Sequence, residues 1–153
     1  MKEIIAYEMS FKGTLNSKNN MNCVPFQEKY WNEYMKMYNE CFYEMRKDLE
    51  IEPVNFYSDY TQMQDKVTKT FLYIQDEEII GAVSCYGNEI DDLIVKKSFQ
   101  RQGLGQRLLL WGMNHIKEKG YKEIILHVAG WNKNAIDLYL KNGFSIKKKE
   151  KVR

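Results

Sequence analysis

Gln100-Arg101-Gln102-Gly103-Leu104-Gly105 joins an apolar run, Leu93-Ile94-Val95, to an amphipathic segment that begins at Leu104. A glycine-rich turn at that place leaves backbone N–H groups without partners at a helix N-terminus, with the positive end of the helix dipole behind them. Such an arrangement binds phosphate. Arg101 and Arg107 bracket the turn and add charge-assisted contacts. The amides and side chains of Gln100, Arg101, Gln102, Gly103, Leu104, Gly105, Gln106 and Arg107 therefore read as a pocket for a small molecule that carries a diphosphate.

Spacing separates the phosphate-binding designs. A nucleotide-triphosphate loop ends in Gly-Lys-Ser/Thr, but Gly105 is followed by Gln106 and Arg107. A dinucleotide fingerprint needs a third glycine, where Leu108 stands, and an acidic residue at the end of the next strand, where His127 stands. Both readings fail. Glycine also ends strands and starts helices for steric reasons alone, so the turn by itself leaves a purely structural role open.

A second segment, Asn132-Lys-Asn-Ala135-Ile-Asp-Leu138-Tyr139-Leu-Lys-Asn-Gly143-Phe144, reads as a short helix closed by Gly143 and lies one helix and one strand after the first. Together the two resemble the motifs of the GCN5-related N-acetyltransferase (GNAT) family. Gln100, Gly103 and Gly105 match a Gln/Arg-x-x-Gly-x-Gly/Ala motif, and Asn132, Ala135, Tyr139, Gly143 and Phe144 match the second. The resemblance is specific from about Ile79 to Phe144. It implies that the glycine turn grips the pyrophosphate of acetyl-CoA. The backbone of Leu93, Ile94 and Val95 would pair with the pantetheine arm, and Asn132, Ala135 and Tyr139 would line the thioester.

Elsewhere the periodicity predicts a strand over Ile4–Phe11 and a polar loop over Lys12–Val24. A helix follows Pro25, with Tyr30, Tyr34, Met37, Tyr38, Cys41, Phe42, Met45 and Leu49 at three- and four-residue steps. A shorter helix is read over Asp59–Thr68. Strands are read over Thr70–Gln75, Ile79–Tyr86, Glu89–Val95 and Lys122–Val128 and from Phe144, with helices over Leu104–Lys119 and Asn132–Asn142. The expected fold is one α/β (α+β mixed) domain over residues 1–153, a GNAT-like three-layer fold whose mixed, mostly antiparallel sheet of about six strands is flanked by helices. The family usually closes with two strands after the second motif. Only Phe144–Arg153 remain, so either a strand is missing or a second subunit completes that edge, as in a homodimer.

With 44% hydrophobic and 29% charged residues the chain reads as an ordinary globular protein. Its net charge of +2 argues against a nucleic-acid partner. Cys23, Cys41 and Cys85 form no metal or redox spacing, and with only His115 and His127 no metal site is expected. No signal-like N-terminus or membrane-length apolar run is evident, so a cytoplasmic protein with no membrane partner is expected. Lys147, Lys148, Lys149 and Lys151 read as a charge-guarded edge strand.

Acetyl transfer to an amine requires the amine to lose a proton, since alkylamines have a pKa of ~10.4. Glu89 and Asp91 are two apart on one strand and share a face, with Asp92 on the other. Either acid, or water-mediated deprotonation, serves as the base. In the histone-acetylating branch of the family the base stands eleven residues before the first Gln, which falls on Glu89. His127 alternates with Leu126 and Val128 and should face away from them. The resemblance gives Tyr139 the role of acid to the leaving thiolate, and a strand amide such as that of Val95 the oxyanion. The family often has proline where Lys97 stands. Tyr38–Tyr60 mixes aromatic and acidic residues and would suit a cationic acceptor. The leading reading is an N-acetyltransferase with acetyl-CoA and an unidentified amine as partners. The alternative is a non-catalytic acyl-CoA-binding or protein-interaction module on the same fold.

Overall fold

Asp76 and Glu77 both adopt left-handed backbone (φ 52° and 64°), the conformation of a two-residue hairpin turn whose twist matches that of its strands. They fold β3 (Thr70–Gln75) onto β4 (Glu78–Tyr86), and Gly87-Asn88 then returns the chain as β5 (Glu89–Val95). The computed structural model, which describes residues 3–15 and 21–152, adds β1 (Ile5–Phe11), β2 (Cys23–Pro25), β6 (Ile124–Ala129) and β7 (Ser145–Lys151). The helices are α1 (Trp31–Asp48), α2 (Leu104–Glu118) and α3 (Lys133–Lys141). Among the described residues the seven strands form one sheet in the order β2-β3-β4-β5-β6-β1-β7, and every pairing is antiparallel except β5 with β6.

Helices cover both faces. Tyr34 and Met37 of α1 pack against Leu72, Ala82 and Ile94 together with Phe26, Tyr57 and Met63. On the other face, Leu108, Leu109, Met113 and Ile116 of α2 and Ile136 and Tyr139 of α3 pack against Met9, Phe11, Val83, Leu126 and Val128. Gly81 sets the spacing of this layer. A Cβ there would lie 2.5 Å from Leu108 Cδ1 and 2.9 Å from the Ile94 carbonyl, so α2 rests directly on strand backbone.

The expected mixed sheet and flanking helices are present, with three differences. Cys23–Pro25, which begins inside the segment Lys12–Val24 read as a loop, adds an edge strand by pairing with β3, and residues 16–20 of that segment lie outside the described residues. The sequence Asp59–Thr68 does not form an α-helix. A capping box of Asp59 and Gln62 starts a 3-10 turn at Tyr60–Met63, and the chain continues as turns, with Lys66 and Lys69 amides bonded three residues back. The third difference concerns the closing edge. β1 lies between β6 and β7, antiparallel to both, so the chain's own N-terminal strand fills the place expected either to lack a strand or to be completed by a second subunit. The outermost strand, β7, is exposed along its whole length, and its lysines pair locally, Lys147 with Glu123 and Lys148 with Glu150.

Because β1 is interior to the sheet, it should carry stability. Met9→Ala, at a fully buried site, is expected to lower the unfolding free energy by about 2–5 kcal/mol, measured by urea denaturation. Ile146→Ala, on the exposed outer strand, should change it by less than about 0.5 kcal/mol.

Candidate active site

β5 and β6 pair only at Glu89 with Ile125 and Ile90 with Leu126. Beyond those residues both strands continue, and they part. The cause lies in β5, where Asp92 takes a left-handed backbone (φ 49°) and the register against β4 slips between Ala82 and Ser84. One extra residue in a strand bends it and increases its twist. The same bulge rephases the side chains, so that Ile90, Leu93 and Val95 contact the α2 layer while Ile94 contacts the α1 layer.

A strand that leaves its partner exposes backbone groups that need other partners. The Val95 carbonyl accepts hydrogen bonds from Gln100 Nε2 (2.9 Å) and Cys41 Sγ (3.3 Å). The Lys96 N–H donates to Ile80 O on β4 (2.8 Å). Amides alternate in direction along a strand, so the Val95 N–H points towards the gap.

Two cavities flank the gap. One, of about 280 Å³, is lined by Leu93, Val95, Phe99, Gln100, Arg101, Leu104, Gly105, Asn134, Ala135, Leu138 and Tyr139. The other, of about 210 Å³, is lined by Phe42, Met45, Asp91, Asp92, Leu93, His127, Val128, Ala129, Trp131, Asn132, Ala135 and Tyr139. Leu93, Ala135 and Tyr139 line both and form the wall between them.

The first cavity lies against the start of α2. Gly103 holds φ 78° before Leu104, and the first backbone bond of the helix runs from Arg107 N–H to Gly103 O (3.2 Å). The amides of Leu104, Gly105 and Gln106 are therefore left without intrahelical partners. A Cβ on Gly105 would meet Leu138 Cδ2 at 3.8 Å and Val95 Cγ2 at 4.0 Å, so the glycine keeps this wall thin without being sterically required. Arg101 is also left-handed (φ 66°), which the preceding 3-10 turn Lys97–Phe99 delivers without proline. Gln102, Gly103, Gln106 and Arg107 flank the cavity without lining it, and Ile94 is buried beneath it. The Asn132 carbonyl oxygen Oδ1 accepts from the Ala135 N–H (3.2 Å) and caps α3.

The second cavity is acidic. Asp91 and Asp92 both line it, contrary to simple alternation, because the left-handed bulge falls at Asp92 itself. Asp91 is solvent-exposed, yet its carboxyl is held above the ordinary value, first by partial desolvation in the cleft and then by the adjacent Asp92 carboxylate. Tyr139 is pushed up to about 12, chiefly by burial and then by Asp91 and Asp92. Glu89 does not line the cleft. Its Oε2 lies 3.3 Å from His127 Nδ1, while His127 Nε2 lies 3.3 Å from Glu8 Oε1. His127 faces away from the buried Leu126 and Val128, as alternation requires.

Sequence reasoning missed Phe99, Asn134 and Leu138 on one side and Phe42, Met45 and Trp131 on the other. Phe42 and Met45 belong to the apolar stripe of α1 and read as core, while Trp131 sits in a turn that no periodicity covers. Within the described residues no group of three or more metal-ligand side chains converges, and no helix is long and apolar enough to cross a membrane.

Residues 31–144 match the model of the acetyltransferase (GNAT) family. Among curated relatives, a mycothiol acetyltransferase of Corynebacterium glutamicum is 31% identical over 81 residues, 49% of this chain and 28% of that protein. One from Saccharomonospora viridis is 44% identical over 45 residues, 29% of this chain and 15% of that protein. The chain thus matches less than a third of the length of these relatives. Among solved structures, a GNAT-family acetyltransferase from Colwellia psychrerythraea superposes with a TM-score of 0.72 at 13% identity, covering 94% of this chain and 53% of that one. An aminoglycoside N-acetyltransferase in complex with CoA superposes with a TM-score of 0.60 at 13% identity, covering 92% and 96%.

The two glycines of the turn should differ in what they tolerate. Gly103→Ala, at φ 78°, is expected to cost about 1–2 kcal/mol of stability through left-handed strain. Gly105→Ala, in ordinary contact distance of its neighbours and inside a helix, should be neutral or stabilise by up to about 1 kcal/mol. Denaturant unfolding of the two variants checks the contrast.

Proposed function

The chain belongs to the GNAT acetyltransferase family, and on that premise we propose that it transfers the acetyl group of acetyl-CoA to a primary amine of a small molecule or protein. Attack is direct, within a ternary complex. The observation that carries this reading is the meeting of two cavities at Leu93, Ala135 and Tyr139, one beneath unpaired helix amides and the other lined by carboxylates.

Acetyl-CoA, when bound, supplies an activated acyl carbon and a thiolate leaving group. The thin wall at Gly105 and the free amides of Leu104, Gly105 and Gln106 suit its pyrophosphate, with Arg101 supplying charge. Leu93, Val95, Ala135 and Leu138 offer an apolar path for the pantetheine arm. The Val95 N–H, free on the gap side, can donate to a carbonyl oxygen as charge develops there.

Asp91 is the carboxylate we assign to the acceptor's proton. It lines the acidic cleft and is open to solvent, whereas Glu89 is engaged with His127 outside that lining. Tyr139 is protonated at neutral pH, as any tyrosine is, and its burial pushes the pKa further up. A phenol of pKa about 12 does not hand its proton fully to a thiolate whose thiol has a pKa of ~8.5. Tyr139 therefore acts by hydrogen-bonding the leaving sulfur. Cys23, Cys41 and Cys85 are pushed up to about 12, 11 and 12 by burial, and none lines either cavity. That supports direct attack over an acyl-cysteine route.

Calorimetric titration with acetyl-CoA, followed by thiol release across a panel of primary amines, tests the reading. Binding with release on an amine supports a transferase, and binding without release on any of them favours a non-catalytic acyl-CoA-binding module. Absence of binding overturns both. Tyr139→Phe should lower kcat by roughly 10- to 100-fold, the worth of one hydrogen bond to a charged group, with little change in acetyl-CoA affinity. Because Asp91 must be ionised to accept a proton and its pKa is raised, kcat/KM should fall on acidification at a higher pH than an ordinary carboxylate dictates. Asp91→Asn should remove that limb.

A further inference from the structure

Asp92 is a non-glycine residue in left-handed conformation (φ 49°) at the bulge that opens the gap. Such backbone persists only where its surroundings hold it. The holding contact comes from outside the sheet. Lys66, in the turn after Tyr60–Met63, forms an ion pair with the Asp92 carboxylate, and the two side chains are only 14% and 18% exposed. Lys66 Nζ also donates to Tyr57 Oη (3.1 Å) and lies over the rings of Tyr38 (5.2 Å) and Tyr57 (5.6 Å). Its own carbonyl accepts from Thr70 Oγ1 (2.9 Å) and from the Lys69 N–H (3.0 Å). A lysine so enclosed is a fixed internal charge, with no reach to spare for a ligand.

We propose that Lys66 is a positioning residue that acts through Asp92: its ammonium clamps the β5 bulge and cancels the Asp92 charge, leaving Asp91 as the carboxylate available to an acceptor amine. The inference rests on the acetyl-transfer reading of the cleft. Two adjacent carboxylates without a counter-charge cannot both ionise readily. With Lys66 in place, one member is paired and the other is free. Burial alone draws the Lys66 ammonium towards its neutral form, but Asp92 and Tyr57 more than reverse this and its pKa is raised overall.

The other groups that bear on Asp91 are Glu89 on its own strand, Tyr38 on α1, Tyr86 on β4 and Tyr139 on α3, while His127 on β6 lines the same cleft. Of the cations among these neighbours, Lys66 is the one that lowers the Asp91 pKa. The clamp therefore makes a signed forecast. Removing Lys66 leaves two facing carboxylates and raises the proton affinity of Asp91. Removing the Asp92 charge lowers it. A contact that merely supported the fold would produce no such opposition.

The test is a carboxyl carbon-13 NMR titration of Asp91 in the intact chain, compared among wild type, Lys66→Met, Asp92→Asn and Lys66→Arg. The Asp91 midpoint should rise by on the order of one pH unit in Lys66→Met and fall in Asp92→Asn, and remain near wild type in Lys66→Arg. Midpoints that stay put, or that move the same way in Lys66→Met and Asp92→Asn, overturn the proposal. If Lys66→Met does not fold, Asp92→Asn and Lys66→Arg decide it by the same criteria. In parallel, thiol release from acetyl-CoA with phenethylamine as the probe should show its acidic limb tracking the NMR midpoint. kcat should fall in Lys66→Met while KM for acetyl-CoA is unchanged. Absence of thiol release from wild type with this probe counts against the acetyl-transfer reading, while the carboxyl titration still judges the clamp.

Discussion

Two parallel strands that pair for two residues and then separate create the space in this molecule. A sheet resists such opening, because each lost ladder bond strands a donor and an acceptor that water or another group must satisfy. Here the opening is held from both sides. On β5 the bulge at Asp92 turns the strand away, and Gln100 and Cys41 take up the Val95 carbonyl. On β6 the neighbouring β1 supplies a full antiparallel ladder from Ala6 to Phe11, so this strand keeps its order without β5. The insertion of the N-terminal strand is thus tied to the site: it stabilises the wall that the gap would otherwise weaken.

The helices then assign different chemistry to the two mouths of the gap. α2 starts where β5 ends and points unpaired amides at one mouth, while Gly81 lets the helix sit close enough on the sheet for its first turn to form the cavity wall. α1 crosses the other face and brings Phe42 and Met45 to the second mouth opposite Asp91, Asp92 and Trp131. α3 bridges both, which is why Ala135 and Tyr139 line each cavity. The positive end follows from where α2 begins, and the negative end from the side chains of Asp91 and Asp92.

Much of this was legible from residues alone, and the limits were physical. Periodicity located α1, α2, α3 and most strands, since each buries a face of fixed spacing. Gly103 marked the turn because its left-handed φ favours glycine, whereas Gly105, in helical backbone with ordinary contacts, was legible from the motif alone. Three-residue β2 carries too little pattern to stand out from a polar loop. The position of β1 depends on pairing between segments far apart in sequence, with Ala6 opposite Ala129, which local pattern cannot encode. The bulge at Asp92 was the costliest omission. Alternation from Glu89 put Asp92 on the face away from Asp91, yet one left-handed aspartate brings both into the cleft. Lys66 was equally hidden, since an isolated lysine in a turn reads as solvated until the aromatic cage around it is seen.

The central claim is that acetyl-CoA occupies the gap between β5 and β6 with its phosphates at the start of α2. Backbone amide chemical-shift mapping during titration with acetyl-CoA tests it most directly. The account predicts the largest perturbations at Leu93–Val95, at Leu104–Gln106 and at Ala135–Tyr139, with β2, β3 and β7 nearly unmoved. Perturbations that cluster elsewhere, or none at saturating concentration, would contradict it.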